Sequence, residues 1–220
     1  MQQRRTASIK AVLLDALGTL VELEPPWVHL AAALGIEEDE QMVSAFRGEM
    51  GYYREHAHEG RDEASLADLR RRCAAIVSKG LGKEVSVAEL MAAIRFRAFD
   101  DAGPALRQLR AHGLRLVCVS NWDYALPDVL GRVGLLGLLD GVVTSASVGA
   151  RKPDARIFRE GLRVAGRAAS EALHVGDSAS EDVAGARAVG IRALLLDRKG
   201  AGDIATLAEL RGPMSLPYGG

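Results

Sequence analysis

Cysteine is scarce: Cys73 and Cys118 are the only two in 220 residues. They lie far apart and neither has metal-ligand spacing, which excludes a disulfide-stapled scaffold or a zinc module. A single disulfide stays open at this point, but reduced thiols in a cytoplasmic protein are the expectation. Cys118 falls in an apolar run and reads as a small buried hydrophobe. Charge of one sign is missing as well. Lys plus Arg number 28 against 29 Asp plus Glu, and no stretch gathers five or six like charges. A nucleic-acid partner therefore has no electrostatic support. Long hydrophobic runs are absent: no segment approaches a membrane span, so no membrane partner is expected. The polar start, Met1-Gln2-Gln3-Arg4-Arg5, leads into too short an apolar run for a signal peptide. Neither low-complexity sequence nor an internal repeat occurs.

What is present is an ordinary globular composition, 48% hydrophobic, enough to bury a sizeable core. Five short apolar runs rich in branched residues read as strands, at 9–15, 114–119, 141–144, 172–176 and 191–196. Amphipathic segments near 124–134, 154–165 and 180–189 alternate with the later four. This pattern predicts an α/β fold with parallel strands joined by helical crossovers. The interval between the first two strands is different. It holds helical patterns at roughly 27–34, 38–57, 63–80 and 86–98 and almost no strand-like alternation. It reads as an inserted all-helical cap, residues 22–99, leaving the sheet after Asp15 through the stiff Pro25-Pro26 and returning near Phe99-Asp100-Asp101. The core is then 1–21 plus 100–214, and 215–220 is a loose tail.

Four chemistry-bearing residues follow four predicted strands. Asp15 ends the first, before Ala16-Leu17-Gly18-Thr19-Leu20, and a carboxylate there is a candidate nucleophile. Ser120-Asn121 end the second, where a hydroxyl and backbone N–H groups can hold a phosphate oxygen. Lys152-Pro153 follow the third and can set a point charge over an anion. Gly176-Asp177-Ser178 end the fourth, with Glu181-Asp182 close behind, a hard-oxygen set suited to Mg²⁺. Each has a plain alternative as a helix cap or solvated loop residue. His174 reads as a packing or hydrogen-bonding residue inside the sheet. The carboxyl edge of an open parallel sheet is where ligands bind, and four unrelated caps gathered there would be a coincidence.

The ordered set Asp-x-x-Gly-Thr, Ser-Asn, Lys-Pro, Gly-Asp-Ser-x-x-x-Asp resembles the haloacid dehalogenase superfamily over residues 10 to 197. The insertion resembles its first class of helical cap. The resemblance implies a Rossmann-like sheet of order 5-4-1-2-3, counting the five predicted strands. It implies that Asp15 attacks phosphorus and binds Mg²⁺ together with the Leu17 carbonyl and Asp177, while Asp182 supports the metal's water shell. Ser120 and the Asn121 N–H would hold the phosphoryl group of a small phosphorylated substrate, and Lys152 would neutralise charge.

One position departs from that pattern. Phosphatases of the superfamily carry a second Asp two residues after the nucleophile, as acid and base for the leaving group; Leu17 stands there. Its loss costs roughly 10²–10⁴ in rate on a poor leaving group. Asp123 is a candidate substitute, with His56, His58 and Tyr53 of the cap behind it. Tyr52, Tyr53, Arg54 and His56 are equally open to a pocket or a packing role, and Trp27 and Trp122 read as core, with a place at the pocket entrance as the alternative. Leu17 also admits a metal-independent 2-haloacid dehalogenase. Against it stand Gly176-Asp177-Ser178 and Phe158, where those enzymes have tyrosine. A third reading is a catalytically weak protein that binds phospho-ligands.

Overall fold

The computed structural model describes residues 8–210. Strand β1 (Ala11–Leu14) is buried at every residue, as an unbroken Val/Leu run requires at the centre of a parallel sheet. The chain turns at Gly18, whose φ of +84° is a conformation glycine adopts freely, and forms β2 (Val21–Leu23). Helix α1 (Pro26–Leu34) begins on a proline, whose missing N–H would be unpaired there in any case. Helix α2 (Glu40–His56) is capped by Asp39, which accepts from the Met42 N–H at 2.8 Å. Capping boxes open α3 (Glu63–Leu81), through Asp62 and Ser65, and α4 (Val87–Ala93), through Ser86 and Glu89. Strand β3 (Phe96–Ala98) returns antiparallel to β2.

The remainder alternates. Helix α5 (Ala102–Ala111) leads to β4 (Arg115–Ser120), α6 (Leu126–Arg132) and β5 (Gly141–Thr144). Then come α7 (Ser145–Val148), α8 (Ala155–Ala165), β6 (Ala172–Gly176), α9 (Ala184–Ala188) and β7 (Arg192–Leu195). The main sheet has the order β5-β4-β1-β6-β7, every neighbouring pair parallel. This is the expected order read from the opposite edge.

Alternate residues of the strands feed two cores. Val12, Leu14, Leu116 and Cys118 pack with α5 and α6 on one face; Leu13, Val117 and Val119 pack with Ile157 and Phe158 of α8 on the other. A third core belongs to the insertion, where Leu30, Phe46, Leu69 and Leu90 bring α1 to α4 together. Burying each such side chain contributes roughly 1.5–3 kcal/mol.

Two expectations change. The helix expected over 86–98 stops at Ala93, Ile94 is extended, and Phe96–Ala98 pairs with Val21–Leu23. Arg95 and Arg97 are exposed while Phe96 and Ala98 are half-buried, and that period of two suits a ribbon. Phe96 packs on buried Trp122, ring centres 5.0 Å apart. The segment near 180–189 opens with a π-helical turn, Ala179–Val183, before α9. No disulfide forms: Cys73 and Cys118 are free and lie in different cores. The expected tail at 215–220 lies outside the described residues. Among those described, no helix is long and apolar enough to cross a membrane.

Candidate active site

The parallel sheet brings four loops to one edge. Asp15 leaves β1 with its N–H bonded to the Val175 carbonyl of β6 at 2.9 Å, which fixes the carboxylate beside the end of that strand. Ser120 closes β4 and donates its hydroxyl to Asp15 Oδ1 at 2.9 Å. Lys152, from the loop between α7 and α8, donates Nζ to Asp15 Oδ1 at 2.5 Å and to Asp182 Oδ1 at 2.6 Å. Its side chain is 2% exposed. Asp182 Oδ1 also accepts from His174 Nε2 at 2.7 Å, and its Oδ2 from the Ser178 N–H at 3.2 Å. His174 therefore lies inside the sheet and orients a carboxylate, within the role expected of it.

Asp177 joins from the turn after β6. It crosses the place where a Cβ on Gly18 would sit, so the glycine of the first motif is what lets the two turns approach. One carboxylate oxygen from each of Asp15, Asp177 and Asp182 lies within 4.8 Å of the others. Three carboxylates face one ammonium, an excess of negative charge. Burial, reinforced by Asp182 and opposed by Lys152, raises the pKa of Asp15. Asp177, the exposed member, is pushed up to about 6 by burial and by the charges of Asp15 and Asp182. Burial alone would lower Lys152, but the two carboxylates outweigh it and raise its pKa, so the ammonium stays charged. Burial acts upward on Asp182, yet Lys152 and His174 hold it below the usual carboxylate range.

The donor set fits a hard divalent cation. Both hydrogen bonds to Asp15 fall on Oδ1, so Oδ2 takes none among the described residues. The carbonyls of Ala16, Gly18, Thr19 and Leu20 each accept a hydrogen bond, whereas among the described residues none reaches that of Leu17. Carboxylate and carbonyl oxygens of this kind suit Mg²⁺.

Asn121 does more than expected. Its side chain accepts from the Lys152 N–H at 2.6 Å and donates to the Lys152 carbonyl and to Glu181 Oε2, both at 3.2 Å. It holds the lysine loop, while its own N–H donates to nothing among the described residues. The Asn type after a strand end was the only sequence signal of this clamp. Arg151 pairs with Glu181 at 3.1 Å at the rim.

Above these loops a cavity of about 1000 Å³ runs between the sheet edge and α2 to α4. Asp15, Leu17, Ser120, Asn121, Asp123, Lys152, Asp177 and Asp182 all line it. So do Tyr53 and Arg54, whereas His56 and His58 are not among the residues that line it. His56 instead pairs with Glu59 at 2.7 Å and stacks on Tyr52. Asp123 is buried; it accepts from the Ala125 N–H and the Tyr53 hydroxyl, both at 2.8 Å, and burial raises its pKa. Trp122 lines the cavity from the core and Trp27 packs within the insertion. Phe158 is fully buried, edge-on to His174 at 5.2 Å, and faces a core instead of the cavity.

Known proteins share this architecture. Human haloacid dehalogenase-like hydrolase domain-containing protein 3 is 44% identical over 101 residues, 46% of this chain and 40% of that protein. A phosphoserine phosphatase of Thermus thermophilus is 38% identical over 108 residues, 47% of this chain and 42% of that one. The matches thus span less than half of either relative. Among solved structures, an HAD phosphatase from Thermococcus onnurineus is 28% identical with a TM-score of 0.66, covering 94% of this chain and 100% of its own. The L-2-haloacid dehalogenase of Xanthobacter autotrophicus, 24% identical with a TM-score of 0.66 over 86% of this chain and 78% of its own, shares the fold. The ordered motifs, the strand order and a haloacid dehalogenase-like hydrolase family model that matches residues 9–190 converge, and the chain belongs to that family of hydrolases.

Proposed function

We propose that this hydrolase is a Mg²⁺-dependent phosphatase of small phosphorylated metabolites, working through an aspartyl-phosphate on Asp15. The observation that carries the reading is Lys152 Nζ seated between Asp15 and Asp182, with Asp177 in the same cluster. Asp15 and Asp177, with the Leu17 carbonyl, would hold Mg²⁺, and Asp182 would support its water shell. When bound, the ion neutralises charge on the phosphoryl oxygens. Asp15 forms a bond to phosphorus as the ester oxygen leaves, and water then hydrolyses the acyl phosphate. Lys152 offsets the charge gathering between nucleophile and phosphoryl group, and Ser120 with the free Asn121 N–H binds its oxygens. Leu17 cannot protonate the departing alkoxide. Asp123, a buried carboxyl with a raised pKa in the same cavity, takes that part, and alkyl esters react slowly. Residues 22–99 act as the cap over a core of 1–21 and 100–214. The free thiols fit a reducing, cytoplasmic setting.

Relatives named as phosphatases for phosphoserine, glyceraldehyde 3-phosphate and ribulose 1,5-bisphosphate support the reading. Dehalogenation is disfavoured because Phe158, in place of a tyrosine, packs in the core. Hydrolysis of p-nitrophenyl phosphate is the test, since nitrophenolate leaves without a proton. Expected is Mg²⁺-dependent release that vanishes in Asp15→Asn. Metal-independent chloride release from 2-chloropropionate would overturn it in favour of a dehalogenase. Binding of phosphate with no turnover would leave a phospho-ligand binding protein.

A further inference from the structure

The wall of the cavity opposite the carboxylate cluster carries a different charge. Arg54 on α2 and Arg70 on α3 both line it. Neither guanidinium makes a hydrogen bond or an ion pair among the described residues, and Arg54 is exposed. Arg70 is half-buried, and its charge is felt at the buried Asp123 carboxyl without an ion pair forming. Asp123 spends its oxygens on Tyr53 and Ala125 instead. The buried acid on this wall, Glu49, is no counter-ion for Arg70: its interactions run to Cys73. By contrast, Arg71, Arg72 and Arg97 of the insertion are ion-paired, Arg71 with Asp68 at 3.0 Å and Arg97 with Glu22 at 2.6 Å.

A half-buried guanidinium with no partner, inside a cavity that also holds a phosphoryl-transfer cluster, presents donors in a planar fork matched to a carboxylate or phosphate. At about 1000 Å³ the cavity has the volume for a whole small metabolite. We propose that Arg70, with Arg54 lining the same cavity, is a second anion subsite, and that the substrate is a phosphate monoester bearing a further anionic group. This deepens the phosphatase reading and rests on it for the chemistry, but the subsite is measurable without turnover.

The test compares three esters: glycerol 3-phosphate, whose far end is neutral; 3-phosphoglycerate, which adds a carboxylate; and fructose 1,6-bisphosphate, which adds a second phosphoryl group. Both kcat/KM of the wild type and calorimetric Kd of Mg²⁺-loaded Asp15→Asn protein are read. At least one doubly anionic ester should exceed glycerol 3-phosphate by about tenfold to a hundredfold, and whichever does names the anion. Arg70→Gln should collapse that ratio toward one. A misfolding or merely structural effect would lower all three esters together and leave the ratio, so that result overturns the subsite. Equal handling of the three by the wild type overturns it too. Discrimination in binding with no hydrolysis keeps the subsite and removes the phosphatase.

Discussion

The Tyr53 hydroxyl donates to Asp123 Oδ2 at 2.8 Å across seventy residues of sequence, joining helix α2 to the loop that follows Ser120. The contact is reinforced next door, where the Tyr124 N–H donates to the Gly60 carbonyl at 2.9 Å. A Cβ on Gly60 would come within 2.9 Å of Asp123 Cβ. Asp123 is thus placed by its neighbours and kept from water. Asp123→Asn keeps one acceptor oxygen, for the Ala125 N–H, lets its amide N–H donate to the Tyr53 oxygen in place of the reverse bond, and removes the acid. It should lower kcat for an alkyl phosphate by about 10²–10⁴ and for p-nitrophenyl phosphate by far less. Equal loss on both esters in steady-state assays would show that Asp123 only shapes the loop.

Leu17 offers the reverse experiment. It is half-buried, lines the cavity, and packs partly on the core beneath β1. Leu17→Asp supplies a proton donor where the chain has none. The expected gain in kcat/KM for glycerol 3-phosphate is about tenfold to a thousandfold. Tm should fall by a few degrees, because a carboxylate cannot replace the leucine's packing on that core. Single-turnover kinetics on the two proteins check this. No gain would mean that the leaving oxygen is already served.

The sheet edge was legible because its logic is local. An apolar run followed by Asp, Ser or Gly-Asp marks a strand end, and parallel order brings those ends together, as Asp15, Ser120 and Asp177 show. The lysine was legible by residue type, yet its second bond, to Asp182, depends on a π-helical turn that nothing in Ala179–Val183 announces. Strand β3 was missed although Arg95-Phe96-Arg97-Ala98 alternates, since three residues make a weak signal beside a longer helical pattern. Tyr53 meeting Asp123 belongs to tertiary packing, and no spacing along the chain encodes it.

Asp177 sets a pH dependence. Its folded pKa, about 6, lies above the ordinary 3.8. In metal-free protein the native state therefore holds a proton the unfolded state has lost, and this group's contribution to stability falls as pH rises through that window. Mg²⁺ needs the carboxylate ionised, so its affinity should drop as pH falls below about 6, approaching tenfold per unit. Thermal melts with and without Mg²⁺ at pH 5 and 7.5 should show the larger stabilisation at 7.5. An equal shift at both would remove Asp177 from the metal site.

Arg198 ties the two chain crossings between sheet and insertion. Its Nη2 donates to the Thr19 carbonyl at 2.7 Å and its Nε to that of Gly18 at 3.3 Å, on the turn that carries Leu17. Two further bonds, each 3.1 Å, reach the carboxylate of Asp101, where β3 hands the chain to α5. The guanidinium lies 3.5 Å over the ring of Phe99. Asp101 is held below the usual carboxylate range, because Arg198 and Thr206 outweigh the opposing effect of burial. That contribution is present at neutral pH and is lost as pH falls through the depressed pKa. Arg198→Ala frees two carbonyls and leaves Asp101 without its cation, a cost of about 2 kcal/mol after allowing for partial exposure. Urea unfolding should show a lower midpoint at an unchanged slope. Because the freed turn carries the Leu17 carbonyl, Mg²⁺ affinity measured by calorimetry should weaken as well. Reduced stability with full Mg²⁺ affinity would separate the clamp from the site.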